Sequence, residues 1–401
     1  MRIEKSKLLL KCFINYEWEH KIINYFWAKQ MRQANNESIT LTPKLQRRRY
    51  EFTNLKVRKL ITKIQLIENS TSKPRIDTIF SINTSAKFKQ VALDIFSFQY
   101  KNNEIYHDFV VALKINTDKI VALEQIPFLP IEFFKTHRVV TNSEAKEKET
   151  RDEKEFTSSG EIKSKHYVSD ITIYERSFRK GFEHFYGNIE NYSILALLPS
   201  YLEREGSSLI YMVEDLIKKS KHSSSGFYLN NFDELILKLK ELESKNQNTL
   251  LLGVTYALLD LIENQKFELR NTIVMETGGM KGKREEIVRE ELHTILCKGF
   301  GVDKIHSEYG MTEILSQAYS KGEGIFNCPA WMKILIRDTN DPFSYLPCKR
   351  TGGINIIDLA NINSCSFIAT QDLGKIYSDD SFEVLGRFDN SDIRGCNLMI
   401  E

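Results

Sequence analysis

The chain has 401 residues, of which 41% are apolar and 27% charged, so it is long enough for one large or two moderate globular domains. No apolar run approaches the roughly 18 residues of a membrane span, and the start lacks a secretory signal, so we expect a cytoplasmic protein without a membrane span. Neither metal-ligand spacing nor a disulfide framework is found among the six cysteines, which are Cys12, Cys297, Cys328, Cys348, Cys365 and Cys396.

Residues 1–74 differ in charge from the rest of the chain. They hold 16 Lys and Arg against 6 Asp and Glu, a net charge of +10 within a chain whose total is +2. A basic run such as residues 44–49 can bind nucleic acid or an anionic membrane by phosphate attraction. We instead expect a basic N-terminal extension that is poorly ordered, or a start codon assigned too far upstream, and we expect no nucleic-acid partner.

Residues 75–150 are predicted to be a helical and aromatic part of the main domain. Apolar residues recur at helical spacing over residues 88–100. Residues 126–137 are rich in aromatic side chains and contain two prolines, which excludes a regular helix there. This segment can line a tunnel for a fatty chain or fill the core between subdomains, and the sequence leaves both open.

An anion-binding loop is predicted at the start of residues 151–401. The run Thr157-Ser158-Ser159-Gly160 stacks hydroxyl side chains before a glycine, and lysines follow at positions 163 and 165. Hydroxyls, a flexible glycine and nearby lysines together form a cradle for the β- and γ-phosphates of a nucleotide.

From residue 192 onward, apolar runs alternate with amphipathic stretches. Buried strands are predicted at residues 193–198, 250–254 and 272–275. Helices are predicted at residues 207–219, 232–242 and 283–296, the last ending at Gly299. This order predicts an α/β fold with a mixed, mostly parallel sheet flanked by helices, in which ligands bind beyond the carboxyl ends of the strands.

Two glycine motifs follow neighbouring predicted strands. The pair Gly278-Gly279 either lets an adenine lie against the backbone or makes a simple strand-to-helix turn. In the second motif a Tyr309-Gly310 turn leads to Thr312 and Glu313, where we expect a helix to begin. A hydroxyl and a carboxylate at a helix N-terminus suit a phosphate and its Mg²⁺.

After residue 331 the pattern changes to short strands separated by turns, predicted at residues 332–337, 353–359, 366–370 and 382–385. They predict a small antiparallel β-subdomain that brings Asp372 and Arg387 to the nucleotide. The aspartate can accept from both ribose hydroxyls, and the guanidinium can reach phosphate or ribose with its fork of donors.

The motifs Tyr309-Gly310-Met311-Thr312-Glu313, Gln371-Asp372-Leu373-Gly374 and Gly386-Arg387-Phe388-Asp389 occur in this order. The set resembles the adenylate-forming enzymes, which activate a carboxylate with ATP, although Gln371 replaces the usual glycine. Within that superfamily, IPFLPIEFFKTH at residues 126–137, LLPSYLEREGSSLIYM at 197–212 and GVTYALLDL at 253–261 are similar to the LuxE-type acyl-protein synthetases of bacterial bioluminescence.

The resemblance implies an adenylate-forming large domain over residues 75–401, without the mobile C-terminal subdomain that such enzymes usually carry. It implies ATP and Mg²⁺ as cofactors and a fatty acid or another aliphatic carboxylic acid as substrate. Thr312, Glu313 and Cys396 are the implied catalytic residues, with Glu313 as the Mg²⁺ ligand. The residues implied to bind the nucleotide are Thr157, Ser158, Ser159, Gly160, Lys163, Gly278, Gly279, Tyr309, Gly310, Thr312, Asp372 and Arg387.

This chain departs from the family pattern in its phosphate loop, which is shortened, lacks the second glycine and carries Glu161. A carboxylate there repels ATP unless a cation neutralises it. Lys163, Lys165 and Lys281 are the candidate cations, and the sequence does not choose among them. His137, His166 and His306 lie near site segments, but we expect packing or hydrogen-bonding roles for them.

Cys396 is the candidate acyl carrier. Arg394 and Gly395 precede it, and a positive neighbour favours a thiolate nucleophile. The resemblance implies that a cysteine near the C-terminus holds the acyl group as a thioester before an acyl-CoA-reductase-like partner or an acyl carrier receives it. Two alternatives are an acyl-CoA or acyl-carrier ligase, and a degenerate member that binds acyl chain or nucleotide without turnover.

Overall fold

The computed structural model describes residues 73–141, 153–159, 162–199, 206–229, 231–279 and 287–388. The predicted basic extension lies outside these residues except for its last two positions, and so do Gly160, Glu161, Lys281 and Cys396. Within the described ranges, every helix is too short or too polar to cross a membrane.

The helices of the described part begin at polar capping residues in several cases. The side chains of Thr84, Asp170 and Ser207 accept from backbone N–H groups in the first turns of the helices α2 (Ser85–Asn102), α5 (Ile171–Tyr186) and α6 (Ser208–Ser220). The helix predicted at residues 88–100 is confirmed within α2. The α-helices are α1 (Ile76–Ile79), α2 (Ser85–Asn102), α3 (Glu104–Ala112), α4 (Phe133–Thr136), α5 (Ile171–Tyr186), α6 (Ser208–Ser220), α7 (Phe232–Ser244), α8 (Thr255–Asn264) and α9 (Arg289–Phe300).

The strands are β1 (Leu129–Pro130), β2 (Lys154–Thr157), β3 (Lys165–Val168), β4 (Ser193–Leu197), β5 (Gly226–Phe227), β6 (Thr249–Val254), β7 (Thr272–Thr277), β8 (His306–Tyr309), β9 (Ala318–Ser320), β10 (Ile325–Asn327), β11 (Met332–Arg337), β12 (Gly352–Asp358), β13 (Phe367–Ile376) and β14 (Phe382–Arg387). One sheet has the order β11-β12-β13-β14-β10-β9-β8-β7-β6-β4-β5, with β1 beside β13. Strands β2 and β3 form a separate antiparallel hairpin.

One half of the large sheet is parallel. Strands β5, β4, β6, β7 and β8 pair in parallel, and β4 and β6 are buried along their whole length. Continuous apolar runs are typical of strands covered by helices on both faces. The predicted α/β class, with helices flanking a mixed sheet, is confirmed.

Helix α9 corrects one expected boundary. It continues through Gly299 to Phe300 and is capped by Gly301, whose φ of 67° lies in the left-handed region. A Cβ on Gly299 would approach Ile262 Cδ1 to 2.6 Å. Gly299 therefore permits close packing of α9 on α8, whereas Gly301 ends the helix.

The other half of the sheet is antiparallel. Strands β11, β12, β13 and β14 pair antiparallel to one another, at the positions predicted for the small β-subdomain. They continue the large sheet through β10 and β9.

The N-terminal helices are joined to this antiparallel half by buried polar contacts. Gln99 Nε2 donates to the carbonyl oxygens of Asn361 and Ile362 at 3.0 Å each, and Ser366 N donates back to Gln99 Oε1 at 3.0 Å. Tyr106 Oη donates to the carbonyl of Pro127 at 2.6 Å. These bonds fix the aromatic segment that contains β1 beside β13.

Candidate active site

Three predicted site residues meet where the two halves of the sheet approach each other. Tyr309 Oη donates to Asp372 Oδ2 at 2.7 Å, and Arg387 Nε donates to Asp372 Oδ1 at 3.1 Å. The side chains of Asp372 and Arg387 are each 7% exposed, so they form a buried ion pair. A carboxylate offers about four acceptor positions, so Asp372 retains acceptor capacity toward sugar hydroxyls beside these two bonds.

Strand register explains this convergence. Asp372 and Arg387 are direct partners in the antiparallel pair of β13 and β14. Tyr309 is the last residue of β8, and its ring packs against Phe326 and Phe382 with centroid distances of 5.9 and 5.8 Å. Two of the three sequence motifs therefore meet through sheet pairing, and the third joins them through an aromatic cluster.

The helix expected to begin at Thr312 does not form. Thr312 lies in a turn, and the chain continues to β9. The fully buried carboxylate of Asp358 accepts from Leu315 N at 2.7 Å and from Ser316 N at 3.0 Å. Because a distant side chain satisfies these donors, helical bonds are not needed, and Thr312 presents no helix N-terminus to a phosphate. Burial raises the pKa of Asp358 to about 6.

A buried histidine fastens this turn to the hairpin of β2 and β3. His166 Nδ1 donates to the carbonyl of Thr312 at 2.8 Å, and its Nε2 lies 3.0 Å from Asn361 Oδ1. Asn361 Nδ2 in turn donates to the carbonyl of Glu313 at 2.8 Å. Burial lowers the pKa of His166, and the nearby Glu313 carboxylate opposes that shift. The predicted hydrogen-bonding role of His166 agrees with these contacts.

The predicted phosphate loop extends from this hairpin. Thr157 ends β2 and its N–H donates to the carbonyl of Gly206 at 2.8 Å. Ser158 N donates to the carbonyl of Ser164 at 3.0 Å, and Ser159 is partly exposed. The hairpin thus carries the hydroxyl residues next to His166, which contacts the Thr312 turn.

The two described candidate lysines differ in their surroundings. Lys165 Nζ pairs with Glu155 at 3.1 Å, and both side chains are well exposed. Lys163 is also exposed and lies in the loop itself. Lys165 is therefore partly neutralised before any phosphate arrives, which makes Lys163 the better-placed cation of the two.

The two glycine turns adjoin at the ends of the parallel strands β7 and β8. Gly278 has a φ of 71°, its carbonyl accepts from Thr255 Oγ1 at 2.9 Å, and Gly279 is buried. A Cβ on Gly310 would meet Glu308 Oε1 at 2.5 Å. Both motifs are therefore tight turns that bring backbone close to neighbouring side chains.

Two buried carboxylates beneath these turns have different partners. Glu276 pairs with Arg289 at 2.5 Å, and although burial favours the neutral acid, Arg289 and His293 hold the pKa of Glu276 below its usual range. Glu308 accepts from Thr277 Oγ1 at 2.6 Å. Burial raises the pKa of Glu308 to about 7, with the Glu276 charge adding to the shift.

The described residues fit a Mg²⁺ ion only when a bound nucleotide supplies most of its ligands. Among them, no group of three or more His, Cys, Asp or Glu side chains is arranged to hold a metal. Mg²⁺ usually keeps several waters and takes one or two protein carboxylates together with substrate phosphates. Glu313 is 1% exposed, and its role as a Mg²⁺ ligand stays a prediction.

Residues 126–137 divide between the wall of a cavity and the core. Ile126, Pro127 and Phe128 line a cavity of about 950 Å³, whereas Ile131 and Phe134 are buried in the core. The cavity also touches positions 371 and 388, which adjoin the Asp372–Arg387 pair.

Sequence reasoning missed several residues that organise this region. Arg337 lines the cavity, and Asp358, Asn361 and Ser316 hold the Thr312 turn. The only available signal was an aspartate at the end of the strand predicted at residues 353–359 and an asparagine just after it, a pattern typical of turns and not specific to a site.

A search by sequence finds no matching family model and no matching curated protein. In structure, the chain is similar to the open conformation of 2-hydroxyisobutyryl-CoA ligase in complex with 2-HIB-AMP and CoA, at a TM-score of 0.56 and 9% identity, with 81% of this chain and 77% of that chain covered. The postadenylation state of that ligase with 2-HIB-AMP gives a TM-score of 0.54 at 9% identity, with 81% and 75% covered.

ATP-bound MatB from Rhodopseudomonas palustris matches at a TM-score of 0.44 and 15% identity, with 60% of this chain and 50% of that chain covered, so the chain spans about half the length of MatB. The two 2-hydroxyisobutyryl-CoA ligase structures carry the structural argument. The described domain has the fold of the adenylate-forming ligases.

Proposed function

We propose that this protein uses ATP to activate an aliphatic carboxylic acid, a fatty acid in the first instance, as an acyl-AMP. One carboxylate oxygen attacks the α-phosphorus of ATP, the bond to the bridging oxygen breaks, and pyrophosphate leaves. Tyr309, Asp372 and Arg387 hold the ribose and α-phosphate in this scheme, and the Thr157–Ser159 hydroxyls and Lys163 bind the β- and γ-phosphates. Glu313 would hold Mg²⁺, which would supply neutralisation of the phosphate charge.

The observation that carries the proposal is the meeting of three separate nucleotide motifs in one fold. Tyr309 and Arg387 each donate a hydrogen bond to Asp372, and Tyr309 lies 63 residues before Asp372 in the chain. Their order in sequence matches the adenylate-forming motifs, and the fold is that of the adenylate-forming ligases. All three motifs with these contacts occur together by chance less often than any one of the motifs occurs by chance alone.

The second step proposed is acyl transfer to a thiol. The Cys396 thiolate attacks the acyl carbon, the bond to AMP breaks, and a thioester forms before a reductase-like protein or an acyl carrier accepts the acyl group. A reactive thiol of this kind suits the reducing cytoplasm. The described cysteines, at positions 297, 328, 348 and 365, are free thiols, which is compatible with that compartment.

Acid-dependent exchange of labelled pyrophosphate into ATP tests the first step, with acetate, octanoate and hexadecanoate compared. Exchange with any of these acids is the expected result. The Cys396→Ser variant should keep exchange and lose hydroxylamine-sensitive acylation of the protein. ATP binding without exchange for any acid would contradict the proposed reaction and favour a non-catalytic nucleotide-binding protein.

Coenzyme A is the alternative acceptor, because one of the similar ligase structures is a complex with CoA. A CoA ligase would release acyl-CoA and retain that activity in Cys396→Ser. Measuring acyl-CoA, acyl-carrier and acyl-protein products in one reaction separates these possibilities.

A further inference from the structure

The cavity beside β13 has the size and lining of a ligand pocket. Its volume is about 950 Å³, and aromatic and aliphatic side chains such as Phe109, Ile126, Phe128 and Tyr345 form much of its wall. Phe343 also lines it and is 58% exposed, so an apolar ring stands at its opening. Small-molecule sites in proteins are typically of this size, mainly apolar, with a few placed polar groups.

One of the polar groups in this wall is the guanidinium of Arg337. Its Nη1 donates to the carbonyl of Ile354 and to Asn355 Oδ1 at 2.7 Å each, and its Nη2 donates to the carbonyl of Thr370 at 2.5 Å. All three acceptors are neutral oxygens. In the part of the chain that the structure describes, no carboxylate lies within ion-pair distance of Arg337.

Backbone and ring contacts hold this guanidinium in one place. Arg337 on β11 is the direct partner of Gly353 on β12, and a Cβ on Gly353 would lie 2.5 Å from Arg337 Cζ. The ring of Phe388 covers the guanidinium with its centroid 5.6 Å from Cζ. A preorganised guanidinium loses little entropy when it binds a planar anion.

The charges around the cavity are mixed. Burial lowers the pKa of Arg337, and the carboxylates of Glu132 and Asp372 oppose that shift from a distance. Lys119, Glu124 and Glu132 also line the wall. The hydrogen bonds of Arg337 within the described residues go to uncharged oxygens, so a bound anion adds the charge partner that these residues do not supply.

We propose that this cavity binds an apolar carboxylic acid as its anion, with the carboxylate on the Arg337 guanidinium and the hydrocarbon chain against the aromatic wall. A guanidinium pairs with a carboxylate through two parallel hydrogen bonds, and the pairing is strong where water is excluded. The proposal rests on the proposed function only in taking this acid as the substrate of adenylation. It assigns the substrate a site that borders the Asp372–Arg387 pair.

The test is calorimetric titration of the full chain with dodecanoate, dodecanol and dodecylammonium below their micelle concentrations, in the absence of ATP. Dodecanoate is expected to bind at least tenfold more tightly than dodecanol. Equal affinities, tighter binding of the amine, or no binding of dodecanoate would each overturn the proposal. Because ATP is left out, a failure of pyrophosphate exchange leaves this result unaffected.

Arg337→Met should lose the preference for dodecanoate over dodecanol while still binding dodecanol. Lys119→Met is the matched control, since it removes another cation that lines the cavity, and it should keep the preference. A preference that survives in Arg337→Met places the acid elsewhere and overturns the proposal. If Arg337→Met does not fold, Ala369→Leu, which fills the cavity from β13, serves as the test. This variant should bind both dodecanoate and dodecanol more weakly, and unchanged binding would contradict the proposal.

Discussion

Two arginines donate hydrogen bonds to β13, one to a carboxylate and the other to a backbone carbonyl. Arg387 donates to the carboxylate of Asp372 on β13, so its charge is neutralised inside the protein. Arg337 approaches the same strand two residues earlier and donates to the carbonyl of Thr370. Arg387 therefore has its charge partner within the protein, whereas a cation that donates to neutral oxygens gains its charge partner only from a ligand.

The same contrast separates two carboxylates on neighbouring parallel strands. Glu276 has Arg289 as a counter-ion, which holds the pKa of Glu276 below its usual range against the effect of burial. Glu308 has a threonine hydroxyl instead, and burial raises the pKa of Glu308 to about 7. We therefore expect a group with a counter-ion and a group without one to respond differently to mutation and to pH.

The largest effect is expected for Asp372→Ala. This change leaves Arg387 buried without its carboxylate, and breaking one side of a buried ion pair costs about 3–5 kcal/mol. Urea unfolding measures the loss, and the exposed Asp118→Ala is the control. A loss below about 1 kcal/mol, on the scale of exposed pairs, would mean that Arg387 is compensated by another group and that the comparison of the two arginines fails.

The next effect depends on pH and concerns Glu308. Its pKa is raised from 4.5 to about 7 in the folded protein, so the folded state holds an extra proton between these values. The stability linked to that proton is fully present below about pH 4.5 and is lost as the pH rises through 7, a change on the order of 3 kcal/mol.

Glu308→Gln should therefore show a smaller loss of unfolding free energy between pH 5 and pH 8 than the wild type, with Glu290→Gln as an exposed control. Asp358, whose pKa burial raises to about 6, adds a loss of the same sign to all these proteins. Parallel pH profiles for wild type and Glu308→Gln would show that Glu308 is ionised in the folded state.

A smaller effect is expected for Arg337→Met. Removing this cation takes one donor from each of the carbonyls of Ile354 and Thr370, and Thr370 Oγ1 still donates to the Ile354 carbonyl at 2.9 Å. The change also removes the cost of burying a charge, so we expect a loss of about 1–2 kcal/mol. Urea unfolding beside Asp372→Ala gives the direct comparison. A loss equal to that of Asp372→Ala would show that Arg337 is a structural residue as strongly paired as Arg387.

The smallest effect is expected for Lys165→Met. Its ion pair with Glu155 is exposed on both sides, and exposed pairs contribute little to stability because water screens them. The thermal unfolding midpoint should match that of the wild type. A clear decrease would indicate that the hairpin of β2 and β3 depends on this pair more than its exposure suggests.

The sequence predicted the fold class and the ordered motifs because both depend on local patterns. Apolar runs gave the parallel strands, and the motif order anticipated that Asp372 and Arg387 would meet, which their register on β13 and β14 explains. Thr312 was predicted wrongly as a helix start, because the donors of that segment are taken by Asp358, which is far away in sequence.

Arg337 could not be identified from the sequence for a related reason. Alternation along β11 places it with the partly exposed side chains, so it looks like an ordinary surface arginine. Its burial depends on Gly353 in the next strand and on the ring of Phe388, which only the folded sheet brings close. The surroundings of Arg337 depend on contacts with other strands, and a local sequence pattern does not reveal such contacts.

The anchorage of His166 affects how the length of the loop before it can change during evolution. Its imidazole is fixed at the base of the hairpin, against the carbonyl of Thr312 and the amide of Asn361. Residues inserted or deleted at the hairpin tip, around position 160, leave that anchorage untouched. The loop can therefore vary in length while the Thr312–Glu313 turn keeps its position.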